Sequence, residues 1–346
     1  MAGACTRLLA VPSYGIESTI GRIKSFEIFY NLIEKEMRFS VIIPLYNKAP
    51  YVAKAIASVL SQTVIDYELI VVDDGSTDNS ATVAENAIKG HRNCQLVKQE
   101  NAGVSMARNN GVAISHGDYL CFLDADDWWE PTFLEEMANL IDEFPDAGIY
   151  GTNYTIVNET RHKTRVAKIG VADGFEKGYI NYCQAYAQTG YMPLTSISVA
   201  IPKHVYVEMG GFPQGVKLGE DFILWVHIAL KHKVAFLNKP LAFYNQDVDA
   251  ANRGVGRLHD PHKHMLWNLS DLEPIEKNNA DYKLLIDNLR VYGLKPYYLS
   301  QKYHNAAVTE LNKVDWNRQP SRDRRYYNSP LWLLRLSEKL ITLLNS

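Results

Sequence analysis

The chain has 346 residues, with 36 basic against 39 acidic side chains and a formal net charge of −3, so it carries no electrostatic signature of a nucleic-acid binder. Hydrophobic residues make up 47% and charged ones 22%, the composition of a soluble globular protein large enough for a real core. Cys5, Cys94, Cys121 and Cys183 form no CxxC pair, and no run approaches 18 apolar residues; a disulfide framework, a zinc site and a membrane span are therefore not expected, and the expected location is cytoplasmic.

Residues 1–36 read as an N-terminal extension whose Ile23, Phe26, Phe29 and Ile33 would form one face of a helix. Met37, immediately before the first strand, reads as the natural start. From there strands and helices alternate: "FSVIIP" (39–44), a helix over 51–63, "YELIVVDD" (67–74), a helix over 76–90 capped by Ser76 or Asp78, "QLVKQ", a helix over 103–117 and "DYLCFLD". Continuous apolar strands separated by helices predict an α/β fold with a mostly parallel central sheet covered on both faces. Ligands of such a sheet sit beyond the carboxyl ends of its strands. Those ends carry Pro44-Leu45-Tyr46-Asn47, Asp73-Asp74-Gly75-Ser76, Asn101-Ala102-Gly103 and the cluster around Asp124.

After a helix over 131–144, "GIYGTNYTIVN" and "RHKTRVAKIG" look like antiparallel strands; a helix near 177–188, a strand "SISVAI" and the segment "GEDFILW" follow. Beyond about residue 255 the pattern is helical and more polar. The expected division is a catalytic domain over 37–250, with halves 37–127 and 128–250, and a helical C-terminal region over 251–346. Its tail has an apolar stripe at Leu331, Leu333, Leu334, Leu336, Leu340, Ile341, Leu343 and Leu344, preceded by Arg318, Arg322, Arg324 and Arg325. Residues 328–346 therefore either pack on the domain or lie on an anionic membrane surface at the inner face.

The stretch "FLDADDWW" puts three carboxylates into four residues directly after an apolar strand. Such a cluster needs open water or a counter-charge such as a metal ion. No GxGxxG follows the first strand and no GxxxxGK[ST] occurs, so a diphosphate would have no glycine-rich cradle. Hard carboxylate oxygens at Asp124 and Asp126 suit Mg²⁺ or Mn²⁺ instead. Asp73 and Asp74 end a buried strand as acceptors suited to a uracil N–H and a ribose hydroxyl. The tryptophans fit either a sugar face or ordinary packing. Of "HDPHKH", His259, His262 and His264 lack metal spacing and read as polar surface, with His259 alone a candidate to approach a metal.

Taken in order, "SVIIPLYNKAPYVAKAIASVLSQT", "YELIVVDDGSTDNS", "NAGVSMARNNG", "GDYLCFLDADD" and "GEDFILW" resemble the successive signatures of the family 2 inverting nucleotide-sugar glycosyltransferases, over roughly residues 38–245. The resemblance implies the GT-A fold. It also implies donor contacts from Pro44, Tyr46, Asp73, Arg108 and Asp124, a metal-binding pair Asp124 and Asp126, and Asp221 as the catalytic base. Glu220 and Trp128 are the candidates for acceptor contact. The implied reaction moves a sugar from a nucleotide-diphosphate donor, UDP-linked, to a glycan or lipid-linked acceptor with inversion, in surface polysaccharide biosynthesis. Two alternatives compete: a sugar-1-phosphate nucleotidylyltransferase, which should carry a GxGxRL-type signature after the first strand, and a non-catalytic glycan-binding homologue, which should lack Asp126 or Asp221. Relatives with "YRxH" after the last core strand differ here, where the chain reads Tyr244-Asn245-Gln246-Asp247.

Overall fold

In the computed structural model, which describes residues 38–247 and 258–345 but not the side chains of 339 and 341–345, the first strand β1 (Phe39–Leu45) lies parallel to β2 (Tyr67–Asp73), with Phe39 opposite Tyr67 and Leu45 opposite Asp73. The expectations for residues 1–36 and Met37 fall outside the described residues. β2 is buried along its whole length, as a strand covered on both faces should be. β3 (Cys94–Lys98) and β4 (Tyr119–Phe122) complete a parallel set in the order β3-β2-β1-β4, crossed by α1 (Val52–Leu60), α2 (Ser80–Ile88) and α3 (Val104–Ala113). The chain enters β4 so close to β1 that a Cβ on Gly117 would stand 2.6 Å from backbone atoms of Phe39 and Ser40.

Past β4 the sheet becomes mixed. β9 (Val199–Pro202) runs antiparallel to both β4 and β6 (Ala147–Asn158), β10 (Lys233–Asn245) runs parallel to β6, and β5 (Trp128–Trp129) closes the edge. β7 (Lys163–Val166) forms the expected antiparallel pair with β6. The helix expected near 177–188 is split. Lys177–Ile180 form β8 against β10, with Gly178 at a non-helical φ of 151°, and the helix α5 (Tyr182–Thr189) starts only after Asn181, whose side chain accepts the Gln184 N–H. Thr195 and Ser198 cap each other in a short turn before β9, which shortens the strand expected over 196–201. α4 (Phe133–Glu143) and α6 (Lys203–Glu208) cover the sheet, and α7 (Glu220–Lys231) buries Trp225 against Phe212, which in turn meets Phe122.

The C-terminal helices are α8 (Glu273–Asn278), α9 (Ala280–Gly293), α10 (Lys295–Leu299), α11 (His304–Leu311), α12 (Ser321–Tyr327) and α13 (Leu331–Asn345). They belong to the same compact unit as the sheet, which begins at Arg38. The Lys217 N–H donates to the Lys263 carbonyl at 2.7 Å and the Met265 N–H to the Leu218 carbonyl at 3.0 Å, stitching this region beside the start of α7. Buried Arg290 holds it together internally by pairing with Glu276 at 2.6 Å and Glu310 at 3.3 Å. α13 packs through Leu334 and through Arg335, whose Nε donates to the Leu299 carbonyl, while Trp332, Leu333, Leu336 and Leu340 stay exposed. Among the described residues no helix is long and apolar enough to cross a membrane.

Candidate active site

A cavity of about 890 Å³ opens at the carboxyl ends of β1, β2 and β4. Each neighbouring segment reaches it through a local turn. β1 ends at Pro44 and Leu45 and delivers Tyr46 and Lys48 to the wall, with Tyr46 46% exposed. After β2 the two carboxylates part company. Asp73 is buried and accepts the Ser76 N–H, whereas Asp74 accepts the Ala102 and Gly103 N–H groups and the Gln99 amide, and of the pair it is Asp74 that lines the cavity. Gly75 makes this turn at φ +73°, with a hypothetical Cβ only 3.0 Å from the Asn101 nitrogen. The N-cap position of α2 is Asn79, which makes no side-chain cap; just before it Asp78 Oδ1 accepts the Ser80 N–H, while Ser76 Oγ accepts from the Asn47 N–H.

The acidic turn after β4 faces two cations. Arg108, from α3 and almost wholly buried, donates to Asp124 at 2.6 Å and to Glu220 at 3.0 Å. Lys48 pairs with Asp126 at 2.7 Å. Burial raises the Asp126 carboxyl above the usual aspartate range, Lys48 opposes that rise, and Asp124 adds to it. Asp127, the third carboxylate of the stretch, is buried and accepts the Asn245 N–H at 2.7 Å at the end of β10, and Thr132 occupies the N-cap position of α4. Burial and its acidic neighbours push the Asp127 carboxyl well up.

Glu220 and Asp221 open α7, where carboxylates suit the helix N-terminus. Asp221 Oδ1 accepts the Phe222 N–H at 2.8 Å, and Ser196 Oγ lies 3.4 Å from Oδ2. Burial, then the Glu220 charge, raise its pKa to about 7, against the opposing pull of Arg108. Lys48, Ser196 and the tyrosines Tyr154 and Tyr186 line the cavity without any local signal in the sequence, and Tyr244, noted there only as a departure from YRxH, lines it too. The tryptophans are elsewhere. Trp129 stacks on Phe133 at 4.0 Å and donates its indole N–H to the Ile197 carbonyl, and Trp128 stacks on Phe243 with Lys54 over its ring; neither lines the cavity. His264, expected on a polar surface, is buried against Trp267 and Tyr297 and lines the cavity, and burial lowers its pKa to about 4.

Six carboxylates line the cavity (Asp74, Asp124, Asp126, Asp127, Glu220 and Asp221) against the cations Lys48, Arg108 and Lys217. That excess suits a divalent cation, and the raised carboxyls of Asp126 and Asp127 are what such an ion would relieve. Among the described residues no three His, Cys, Asp or Glu side chains converge as a closed metal cage. Two carboxylates are nonetheless enough for Mg²⁺ or Mn²⁺, which fill the remaining positions with phosphate oxygens and water.

The architecture is that of the GT-A glycosyltransferases. The structure of S. aureus TarS 1–349 in complex with UDP-GlcNAc superposes on it with a TM-score of 0.65 at 18% identity, over 80% of each chain. Residues 40–200 match the model of glycosyl transferase family 2, and the chain belongs to that family. Among its relatives, glycosyltransferase GlyA of Streptococcus pneumoniae is 31% identical over 262 residues, covering 72% of this chain and 37% of the relative. The uncharacterized glycosyltransferase YibD of Escherichia coli is 26% identical over 305 residues, covering 88% of this chain and 71% of the relative. The chain thus spans about two fifths of the length of GlyA and of two Rickettsia relatives.

Proposed function

We propose that the chain is an inverting, metal-dependent hexosyltransferase that takes a sugar from a UDP-linked donor and passes it to a hydroxyl of a glycan or lipid-linked acceptor in surface polysaccharide biosynthesis. The observation that carries this reading is Asp221. It is a carboxyl with a pKa of about 7 on the wall of an acidic cavity, on a different element from the Asp124–Asp126 turn. Inverting transfer needs a base on the face of the sugar opposite the leaving group. The acceptor oxygen bonds to C1 as the C1–O bond to the β-phosphate breaks; the hydroxyl proton passes to Asp221 and the nucleoside diphosphate leaves.

Pro44, Tyr46 and Asp74 form the nucleotide end of the site, with Asp74 taking over the cavity-facing role first assigned to Asp73. Asp124 and Asp126 would hold Mg²⁺ or Mn²⁺, which when bound offsets the charge of the departing diphosphate. Lys48 and Arg108 keep the two carboxylates in place and present further positive charge to the same phosphates. On this reading residues 37–127 form the donor half, 128–250 the acceptor half, and 251–346 a helical region that closes the cavity. The exposed face of α13 (Trp332, Leu333, Leu336, Leu340), after exposed Arg322, Arg324 and Arg325, supports a peripheral position on the cytoplasmic face of an anionic membrane, where a lipid-linked acceptor would be found.

The test is a panel of UDP-sugars with Mn²⁺, read by thermal stabilisation and by UDP release. One UDP-sugar should stabilise the chain in a metal-dependent way, and the transferred sugar should show inverted anomeric configuration by NMR. If no nucleotide sugar stabilises it and Asp126→Ala changes nothing, the reading fails.

A further inference from the structure

Lys48 is fixed by its backbone independently of what its side chain touches. Asn47, just before it, has a left-handed φ of 51°, a conformation that asparagine adopts more readily than most side chains. The turn is tied to the segment after β2. The Asn47 N–H donates to Ser76 Oγ, Asn47 Oδ1 accepts the Thr77 N–H at 2.8 Å, and the Lys48 N–H donates to Ser80 Oγ at 2.7 Å. On its other side the Lys48 carbonyl accepts the Tyr51 and Val52 N–H groups at the start of α1. These bonds anchor the Cα of Lys48, while the four-carbon stem lets its ammonium reach more than one place in the cavity. That ammonium lies 2.7 Å from Asp126 Oδ2, with the two side chains only 14% and 18% exposed.

We infer that Lys48 is a positioning residue that acts as a tethered counter-ion, holding Asp126 until a diphosphate draws its ammonium away, so that a divalent ion gains Asp126 fully only when the donor is present. This rests on the reading of Asp126 as a ligand of Mg²⁺ or Mn²⁺. Two cations on one carboxylate repel, and in a half-enclosed cavity that repulsion is screened less than in water. A divalent ion reaching Asp126 must therefore displace Lys48 or bind against its charge. Moving the ammonium off Asp126 is itself unfavourable unless another anion receives it, because a poorly solvated charge needs a partner. A diphosphate in the same cavity supplies that anion. The contrast with the second carboxylate supports the assignment. Asp124 is paired with Arg108, whose guanidinium is 3% exposed and is also held by Glu220 at 3.0 Å. A planar fork held at two points stays where it is, whereas a point charge on a flexible stem can change partners. The consequence is reciprocal: whatever Lys48 adds to the dependence of the ion on the diphosphate, it adds equally to the dependence of the diphosphate on the ion.

The experiment titrates the full chain, wild type and Lys48→Met, with Mn²⁺ at pH 8, with and without saturating UDP. Unbound Mn²⁺ is read by EPR, and a protein-free titration corrects for Mn²⁺ held by UDP in solution. Lys48→Met keeps the stem and removes the charge. Without UDP it should bind Mn²⁺ about tenfold more tightly than the wild type. The factor by which UDP raises Mn²⁺ affinity should fall by about the same amount. Lys48→Arg keeps the charge and should restore the wild-type pattern, which a purely structural defect would not allow. If Lys48→Met does not fold, Lys48→Gln takes its place. Mn²⁺ affinity without UDP that is unchanged or weaker in the uncharged variant overturns the inference, since the ion and Lys48 would then share Asp126. So does an unchanged UDP factor, or a Lys48→Arg protein that behaves like Lys48→Met. In each of these cases Mn²⁺ binding with UDP leaves the metal reading standing. If neither protein binds Mn²⁺ with or without UDP, the reading of Asp126 as a metal ligand fails and this inference with it.

Discussion

Replacing Asp221 by Asn separates two consequences of the same buried carboxyl. The amide Oδ1 can still accept the Phe222 N–H, so the start of α7 keeps its local bond. The rise from an ordinary 3.8 to about 7 corresponds to a penalty of about 4 kcal/mol on the ionised form. The folded carboxyl holds its proton where the unfolded one has lost it. Its contribution is therefore fully present below about pH 4 and is lost as pH rises towards about 7. Asn never ionises, so the variant should match the wild type near pH 4 and exceed it at pH 8. Asp221 opens onto the cavity, where water screens it, so about 4 kcal/mol is an upper bound and a gain of about 1–3 kcal/mol is expected. Urea unfolding at pH 5 and pH 8 measures this directly. Over the same range wild-type kcat/KM should rise with pH up to about 7 and then level, because the base must be unprotonated. The variant's kcat should fall about 10²–10⁴-fold. A variant no more stable at pH 8 than at pH 5 relative to wild type, or one retaining kcat within tenfold, would refute the assignment.

Asp126→Ala should abolish the Mn²⁺-dependent part of UDP-sugar stabilisation while the metal-free melting temperature stays within a few degrees; retained metal dependence would move the ion elsewhere. Trp332→Glu combined with Leu336→Glu, on the exposed side of α13, should strongly reduce sedimentation with phosphatidylserine vesicles and leave solution activity on a soluble acceptor intact. Unchanged sedimentation would leave that face without a membrane role. Arg290→Met removes the buried partner of Glu276 and Glu310 and should cost about 3–5 kcal/mol in urea unfolding; a loss under 1 kcal/mol would mean that water satisfies both carboxylates.

The parallel half was legible because β1 and β2 are buried on both faces and its helices are periodic, so "FSVIIP" and "YELIVVDD" announce themselves locally. The carboxylate turn and "GED" were legible for a different reason, since each places charge where an element begins or ends. What escaped depends on contacts distant in sequence. Nothing local in "DAD" reveals that Lys48, 78 residues earlier, reaches Asp126, or that Asp127 is consumed by the backbone of Asn245. His264 looked like surface because its neighbours His262 and Lys263 are polar, yet pairing with Leu218 turns it inward against Trp267 and Tyr297. The helix expected near 177–188 failed at one residue, Asn181, where a side-chain cap outweighs the propensities on either side.

Arg108 ties the Asp124 turn to the start of α7. The sheet changes from parallel to antiparallel between β4 and β9, and the Asp124 turn and the start of α7 reach the cavity from elements nearly 100 residues apart in the chain. Arg108 bridges them with one guanidinium, donating through Nη2 to Asp124 and through Nη1 to Glu220, while its Nε has no partner among the described residues. A planar fork holding two carboxylates fixes their separation in a way that a lysine would not. The arrangement therefore couples Asp124 to Glu220, the neighbour of Asp221. Any ligand that draws Asp124 away must also change the field at Asp221, since Glu220, Arg108 and Asp124 all contribute to its pKa. Weakening the Arg108–Asp124 pair frees Arg108 to favour the ionised form of Asp221. On the proposed function, a donor that engages Asp124 would therefore lower the Asp221 pKa and favour the ionised carboxylate.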